Sequence, residues 1–270
     1  MDQFFVTLSA GHAIEGDAAQ CLRDLGTLGI WEISPREWRA YFAAEDPRVE
    51  RDLLAGDPGL RVRWERADEE DWAARYQASL RPIAVGKRFV ILPSLHLESP
   101  WPERIPLRLV PGMAFGTGEH FTTSSCLRAL EGLDPLPASV LDVGCGTGIL
   151  SAAAWKLGCR SVVACDTDPE ACVVSRESAA ENSTPYQVVE GSAEDVRGTF
   201  HLVFANILAQ TLVAILPDLS ARLAPGGFLL GSGILLDLGD GVLEAASSKG
   251  LRLMERRTDG EWWTFLWRAT

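Results

Sequence analysis

Residues 140–150 read VLDVGCGTGIL, an apolar strand pattern that runs directly into a glycine-rich turn. The apolar residues that follow, 149–157, predict a helix. Positions without a side chain, such as Gly144 and Gly146, allow a ligand to lie against the backbone at a junction of this kind. Strand, turn and helix stand in the order that a nucleotide-type binding site requires, although a tight structural turn is the alternative.

An acidic residue, Asp166, lies about 20 residues beyond the glycine turn, at the end of the next predicted strand, 161–165. A carboxylate at this distance can accept hydrogen bonds from the ribose hydroxyls of a bound nucleoside. Either Asp166 or Asp168 could instead cap the helix predicted over 169–182, because Asp before Pro169 is a usual helix start. We assign the ribose to Asp166 and the helix cap to Asp168.

The segments around this turn alternate between strand and helix patterns, which predicts a parallel sheet with helices on its faces. Two final strand patterns are joined by the short RTDGE segment at residues 257–261 and predict an antiparallel hairpin. We therefore expect residues 112–270 to form a doubly wound, mostly parallel α/β domain of Rossmann-like type with a terminal hairpin. The predicted strands are 139–143, 161–165, 186–189, 202–205, 228–231, 251–256 and 262–267, and the predicted helices are 149–157, 169–182 and 208–223.

Residues 1–85 predict a smaller α+β domain, which contains no glycine-rich phosphate loop and no clustered nucleophile. Packing or substrate recognition is therefore its expected role. Residues 86–111 are rich in proline and carry two short strand patterns, so we expect a stiff, extended connector. The strands predicted up to this point are 4–8, 29–33, 38–42, 60–64, 89–92 and 107–110, and the helices are 17–25, 47–55 and 69–80.

A second glycine-rich stretch, PGMAFGTGEHFTT at residues 111–123, leads into a helix predicted over 124–130. Its backbone amides and threonine hydroxyls could hold the carboxylate of an amino-acid-like ligand at the helix N-terminus. Thr122 and Thr123 could equally be helix caps, and we retain Thr123 as a cofactor contact. His120 is the candidate for a general base, with Glu119 a weaker one.

Asn206 follows the predicted strand 202–205, at the edge where open α/β sheets bind their ligands. Its amide has both an acceptor and donors, so it could position an incoming amine for reaction. This makes Asn206 the candidate catalytic residue, with a helix cap as the alternative.

Two ligand classes fit a glycine turn followed by a ribose-binding acid: dinucleotides and S-adenosylmethionine. The dinucleotide fingerprint GxGxxG needs a third glycine where this chain has Ile149, while its glycine comes one place earlier, at Gly148. The terminal hairpin also suits a methyltransferase better. S-adenosylmethionine is therefore the predicted cofactor, with a dinucleotide-dependent oxidoreductase as the alternative.

The formal net charge of −12 and the sequence pI near 4.8 disfavour nucleic acid as a partner and favour a basic protein. No apolar run is long enough for a membrane span, and no leader pattern begins the chain, so we expect a cytoplasmic protein without a membrane partner. The six cysteines form no CxxC pair, and we expect no metal site. We further expect a monomer.

Six motifs carry a family resemblance: FGTGEHFTT (115–123), LDVGCGTGIL (141–150), ACDTDPEA (164–171), ANILA (205–209), LAPGGFLLGSGIL (223–235) and GEWWTFLWR (260–268). Taken together, they resemble the bacterial ribosomal protein L11 methyltransferase family, known as PrmA. The resemblance implies a class I methyltransferase that modifies lysine side chains and the α-amino group of that ribosomal protein. It also implies that Thr123, Gly144, Asp166 and Asn206 contact the cofactor. A class I methyltransferase for another protein or a small molecule remains the alternative.

The chain departs from the family pattern in two places. The loop at 115–123 has Glu119 and Phe121 where the family usually reads FGTGTHPTT, which could alter how a substrate amine enters. Leu95 and His96 follow Pro93-Ser94 where a tryptophan is expected, so the contact between the domains could differ.

Overall fold

The computed structural model describes residues 3–14, 16–27, 29–42, 44–67, 81–93, 97–109 and 120–270. It divides the chain into two compact units, Met1–Ser79 and Leu80–Thr270. The helix predicted over 69–80 and most of the glycine-rich stretch 111–123 lie outside the described residues. None of the helices in the described ranges is long and apolar enough to cross a bilayer.

The described part of the first unit is an antiparallel sheet with two helices, in the order βαββαβ of ferredoxin-like folds. The strand order is β2-β3-β1-β4. Alternate residues of β3 (Trp38, Ala40 and Phe42) are buried against the helices, as expected for a sheet with one covered face. The elements are β1 Gln3–Ser9, α1 Gly16–Asp24, β2 Gly29–Ser34, β3 Glu37–Phe42, α2 Pro47–Gly56 and β4 Arg61–Ala67.

The second unit is built on a mostly parallel sheet in which β14 alone among the described strands runs antiparallel to both of its neighbours. The strand order is β10-β9-β8-β11-β12-β14-β13. Its helices are α3 Phe121–Glu131, α4 Ile149–Leu157, α5 Pro169–Glu181, α6 Ala209–Ala221 and α7 Gly239–Ser248. Its strands are β8 Ser139–Val143, β9 Ser161–Asp166, β10 Gln187–Glu190, β11 Phe200–Asn206, β12 Leu223–Leu235, β13 Leu251–Thr258 and β14 Trp262–Ala269.

Apolar clusters cover both faces of this sheet. One cluster joins α3 and α4 to the sheet, for example through Leu127, Ala153 and Phe204. The other joins α6 and α7 to it, for example through Leu212 and Val242. This is the doubly wound α/β fold with a terminal hairpin that the sequence predicts. The strand order reverses between β8 and β11, and ligands of such sheets bind at the carboxyl ends of the strands at this point.

The segment predicted as an extended connector, residues 86–111, is folded as part of the second unit. Its strands β6 Phe89–Leu92 and β7 Ile105–Arg108 join β5 Ile83–Val85, which precedes it, in a small sheet of the order β5-β6-β7. All four residues of β6 are buried, and the carboxylate of Glu131 at the end of α3 accepts the N–H groups of Lys87 and Arg88. Pro93 directly follows β6, and Pro106 lies on β7 at the sheet edge, where a proline costs few ladder hydrogen bonds.

Candidate cofactor cleft and active site

The glycine turn after β8 depends on backbone conformations that favour glycine. Gly144, Gly146 and Gly148 have φ of +69°, +50° and +71°. A Cβ at Gly144 would overlap the Ile207 side chain, and a Cβ at Gly148 would overlap the Tyr186 hydroxyl. Glycine is therefore needed here both for the turn itself and for close packing.

Asp166, the predicted ribose ligand, stands at the carboxyl end of β9 and holds this turn in place. Its Oδ2 accepts the N–H of Gly146 at 3.0 Å, and its Oδ1 accepts the N–H of Asp168 at 3.0 Å. Each carboxylate oxygen can accept a second hydrogen bond, so these contacts leave room for a ligand. Asp168 caps α5 through the N–H of Glu170 at 2.9 Å, as predicted.

A cleft of about 510 Å³ opens at the point where the strand order reverses. The five residues assigned from the sequence to the cofactor line this single cleft, including Asp166 and the catalytic candidate Asn206. Thr123 is brought there by α3, the glycines by the turn after β8, and Asn206 by the end of β11. The residues so assigned are Thr123, Gly144, Gly146, Asp166 and Asn206.

The cleft also contains residues that the sequence analysis missed. Gly191 and Ser192 follow β10 directly and line the cleft beside Asp166. Their position after a parallel strand, the criterion applied to Asn206, could have found them. Ile207 and Leu208 extend the apolar wall beyond Asn206. Their apolar side chains carried no sequence signal of ligand contact.

The threonines of α3 do not cap this helix. The helix begins at Phe121, and its cap is His120, whose Nδ1 lies 3.4 Å from the N–H of Thr122 and 2.8 Å from its Oγ1. Thr122 and Thr123 lie within the first turn and are fully buried. His120, the candidate base, thus has a structural role at the helix start, and Glu119 lies outside the described residues.

The side chain of Asn206 forms a hydrogen bond through its amide nitrogen but none through its amide oxygen among the described residues. Its Nδ2 donates to Oγ1 of Thr123 at 3.4 Å, a long bond between residues far apart in the chain. Its Oδ1 is buried and finds no donor among the described residues. Asn206 does not cap α6, because the cap position belongs to Leu208. A buried acceptor without a partner is costly unless a ligand satisfies it.

Asp142 lies at the base of the cleft and is almost fully buried. Its Oδ2 accepts the N–H of Ser151 at 3.2 Å and the hydroxyl of Ser151 at 2.7 Å. Burial raises the pKa of this carboxyl to about 6; the Ser151 bonds act in the opposite direction, and the charge of Asp166 adds to the increase. Ionisation of the buried Asp142 carboxyl therefore destabilises the folded state.

We expect Asp142→Asn to remove a pH-dependent loss of stability. The folded-state pKa lies above that of the unfolded chain, so Asp142 stabilises the fold fully below about pH 4 and loses this contribution as the pH rises through 6. A two-unit difference corresponds to about 3 kcal/mol. In urea unfolding experiments, the free energy of unfolding of the variant minus that of the wild type should increase as the pH rises from 4 to 8. A difference that does not change with pH would contradict this assignment.

The six cysteines are free thiols. Five of the six, all except Cys21, are buried, and burial raises the pKa of Cys126 to about 12. The described residues contain no group of three or more His, Cys, Asp or Glu side chains placed to hold a metal ion.

Comparison with known proteins decides the family. A family model described as ribosomal protein L11 methyltransferase (PrmA) matches residues 36–270. The chain belongs to this methyltransferase family. A ribosomal protein L11 methyltransferase of Geobacter metallireducens is 46% identical over 201 residues, which are 74% of this chain and 67% of the relative. A second one, from Geobacter sulfurreducens, is 38% identical over 279 residues and covers 98% of this chain and 92% of the relative.

A solved structure agrees with this assignment. The ribosomal protein L11 methylase of Lactobacillus delbrueckii subsp. bulgaricus has a TM-score of 0.66 and 31% identity, and covers 70% of this chain and 100% of that chain. The family resemblance inferred from the motifs is confirmed, and the class I methyltransferase fold with it. The cofactor is therefore S-adenosylmethionine, and the oxidoreductase alternative is set aside.

Proposed function

We propose that this chain transfers methyl groups to lysine side chains and to the N-terminal α-amino group of ribosomal protein L11, in the cytoplasm. The relatives that share most of its length are named for methylation of this protein. The observation that carries the chemical part of the proposal is the buried, unpartnered Oδ1 of Asn206 in the cleft. An acceptor in that position suits an amine, which offers N–H donors and a lone pair.

The residues of the cleft fit S-adenosylmethionine in a simple arrangement. Asp166 would accept the ribose hydroxyls, and the glycine turn would let the nucleoside lie against the backbone of Gly144 and Gly146. Thr123, in the first turn of α3, would contact the amino-acid end of the cofactor, where the helix N-terminus favours a carboxylate.

Asn206 would then orient the substrate amine. When bound, S-adenosylmethionine would supply an electrophilic methyl group on a positively charged sulfur, open to the lone pair of the amine nitrogen and with the sulfur as leaving group. Oδ1 of Asn206 accepts an N–H of the neutral amine and so directs its lone pair. The hydroxyl of Thr123 accepts from Nδ2, which leaves Oδ1 to meet the amine.

We assign substrate recognition to the first unit, Met1–Ser79. All the residues that line the cofactor cleft lie in Leu80–Thr270. The first unit has its own apolar core, which includes Val6, Leu22 and Trp38. The described residues of this unit supply none of the cleft lining, so its surface is available for the substrate.

The net charge of −12 leads to a prediction about salt. If the substrate is a basic ribosomal protein, raising the salt from about 0.05 M to 0.5 M should raise its KM several-fold, because salt screens exposed charges. The dissociation constant of the cofactor, bound in a cleft, should change much less. Steady-state kinetics and calorimetry at matched salt measure the two quantities. Equal salt sensitivity of both, or none in either, would argue against electrostatic recruitment.

The decisive test of the function is mass spectrometry of a mixture of ribosomal proteins incubated with the enzyme and labelled S-adenosylmethionine. We expect label in L11 alone, on lysines and the N-terminus, in whole methyl units. A parallel reaction with Asp166→Ala controls for contaminating methyltransferases. Label in another protein, or none in L11, would refute the proposed substrate.

A further inference from the structure

Two of the family motifs, residues 223–235 and 260–268, supply no residue to the lining of the cofactor cleft. They fall in β12 and β14, and a hydroxyl from each meets the other inside the core. Oγ of Ser232 lies 2.7 Å from Oγ1 of Thr264, its register partner in the antiparallel β12–β14 pair. Both side chains are buried. Burying a hydroxyl costs free energy even when it is hydrogen-bonded only in part, so this pair calls for an explanation beyond packing.

The hydroxyl pair connects the sheet to the first turn of α3. The O–H of Ser232 donates to the carbonyl oxygen of Thr122 at 3.4 Å, with the carbonyl oxygen of Trp263 as a second acceptor at 3.5 Å. Because this O–H is directed at carbonyl groups, the proton of the 2.7 Å bond comes from Thr264. The donors therefore run from Thr264 through Ser232 to the helix.

This connection lies next to Asn206. Ser232 is the register partner of Asn206 in the parallel β11–β12 pair, so Asn206, Ser232 and Thr264 form one row across three neighbouring strands. The residue after Thr122 in α3 is Thr123, whose Oγ1 accepts Nδ2 of Asn206. The amide of Asn206 is thus bonded to the same helical turn that the hydroxyl pair holds.

Apolar packing and hydrogen bonding fix the position of a helix on a sheet with different precision. The attraction between apolar surfaces is nondirectional and follows the area they cover, whereas a hydrogen bond weakens steeply when its distance or angle changes. α3 packs on the sheet largely through apolar residues such as Leu127. The buried hydroxyls are therefore suited to fixing the place of its first turn.

We propose that Ser232 and Thr264 are positioning residues for methyl transfer: through Thr122 they fix the first turn of α3, so that Thr123 holds Asn206 by its Nδ2. The inference rests on the proposed function and adds the part of the core that orients the catalytic amide. Neither hydroxyl acts on the reacting atoms directly, because neither residue lines the cofactor cleft.

Single-turnover methylation of the ribosomal protein at saturating cofactor tests this role. We expect Thr264→Val, which keeps the shape and removes the hydroxyl, to lower the rate about 10-fold, because the amide of Asn206 is less well placed. Thr264→Ser keeps the hydroxyl and should restore most of the rate. Thr184→Val is the matched control, since Thr184 is also buried and donates to the carbonyl of Ala179 but does not line the cleft. Its rate should equal that of the wild type.

Two further variants separate positioning from stability. Ser232→Ala/Thr264→Val removes both partners together, so its free energy of unfolding should stay near the wild-type value while its rate stays low. This double variant also serves if Thr264→Val does not fold. In an Asn206→Ala background, Thr264→Val should cause no further loss, because the amide through which it acts is absent. A further loss of the same size there, or a wild-type rate in folded Thr264→Val, would overturn the proposal.

An NMR measurement does not depend on activity. The side-chain amide signals of Asn206, identified by their loss in Asn206→Ala, should shift in Thr264→Val and return close to their wild-type positions in Thr264→Ser. Thr184→Val should leave them in place. Amide signals that do not move in Thr264→Val would also contradict the positioning role. Failure of the wild type to methylate L11 would instead refute the proposed function, and the amide signals would still decide whether the hydroxyls orient Asn206.

Discussion

Replacing Asp166 by alanine is expected to weaken S-adenosylmethionine binding by about two to four orders of magnitude. The carboxylate would accept two ribose hydroxyls, and a hydrogen bond to a charged group contributes roughly 1.5 to 3 kcal/mol. The two together correspond to about 3 to 6 kcal/mol, which is the stated range in affinity. The substitution also removes the acceptor for the N–H of Gly146, so the glycine turn loses a support.

Calorimetry of folded variants measures this effect. Asp166→Asn is the informative companion, because its amide oxygen keeps one acceptor while the negative charge is lost. Asp168→Ala is the control, since Asp168 caps α5 close by and its loss should cost only about 1 kcal/mol of stability. Unchanged cofactor affinity in a folded Asp166→Ala protein would end the ribose assignment.

Replacing Asn206 by alanine is expected to lower turnover by roughly 100-fold, because the amine loses the acceptor that orients its lone pair. Asn206→Asp keeps the shape but removes the donor to Thr123 and adds a charge near a positively charged sulfur. Thr123→Val tests the hydrogen bond between Asn206 and Thr123 by changing Thr123 instead. It keeps Oδ1 of Asn206 but removes the acceptor for Nδ2, so turnover should fall less than in Asn206→Ala.

The measurement that separates binding from catalysis is single-turnover methylation at saturating cofactor. Under that condition weaker cofactor binding no longer limits the rate, so a slow reaction reports on the positioning of the amine. A rate near that of the wild type would mean that Asn206 only binds the cofactor.

The sequence predicted the features whose chemistry is local. The strand–turn–helix at residues 140–150 could be predicted because left-handed backbone angles select glycine and a buried strand selects apolar residues. The helix start at Asp168-Pro169 was correct for the same reason, since a cap and the residue it bonds are neighbours in the chain. The alternation of strands and helices was enough to predict a parallel sheet with a terminal hairpin.

Helix starts without such a signal were predicted less well. The cap of α3 is His120 rather than either threonine, because the choice depends on which side chain the surrounding core buries. Packing also decided the structure of the predicted connector. Its strands are buried against α3, and Glu131 binds backbone groups more than forty residues earlier in the chain. Proline content alone could not reveal this contact.

The sequence by itself determined the family, the fold class, the cofactor and the residues that carry the cofactor motifs. Only the tertiary structure decided that the amide of Asn206 is anchored on Thr123 with its oxygen left open. It alone brought Trp262, His120 and Ile207 together around one pocket. The physical reason is that backbone dihedral preferences and hydrophobic periodicity act over a few residues, whereas a pocket depends on where distant strands and helices end after the core has packed.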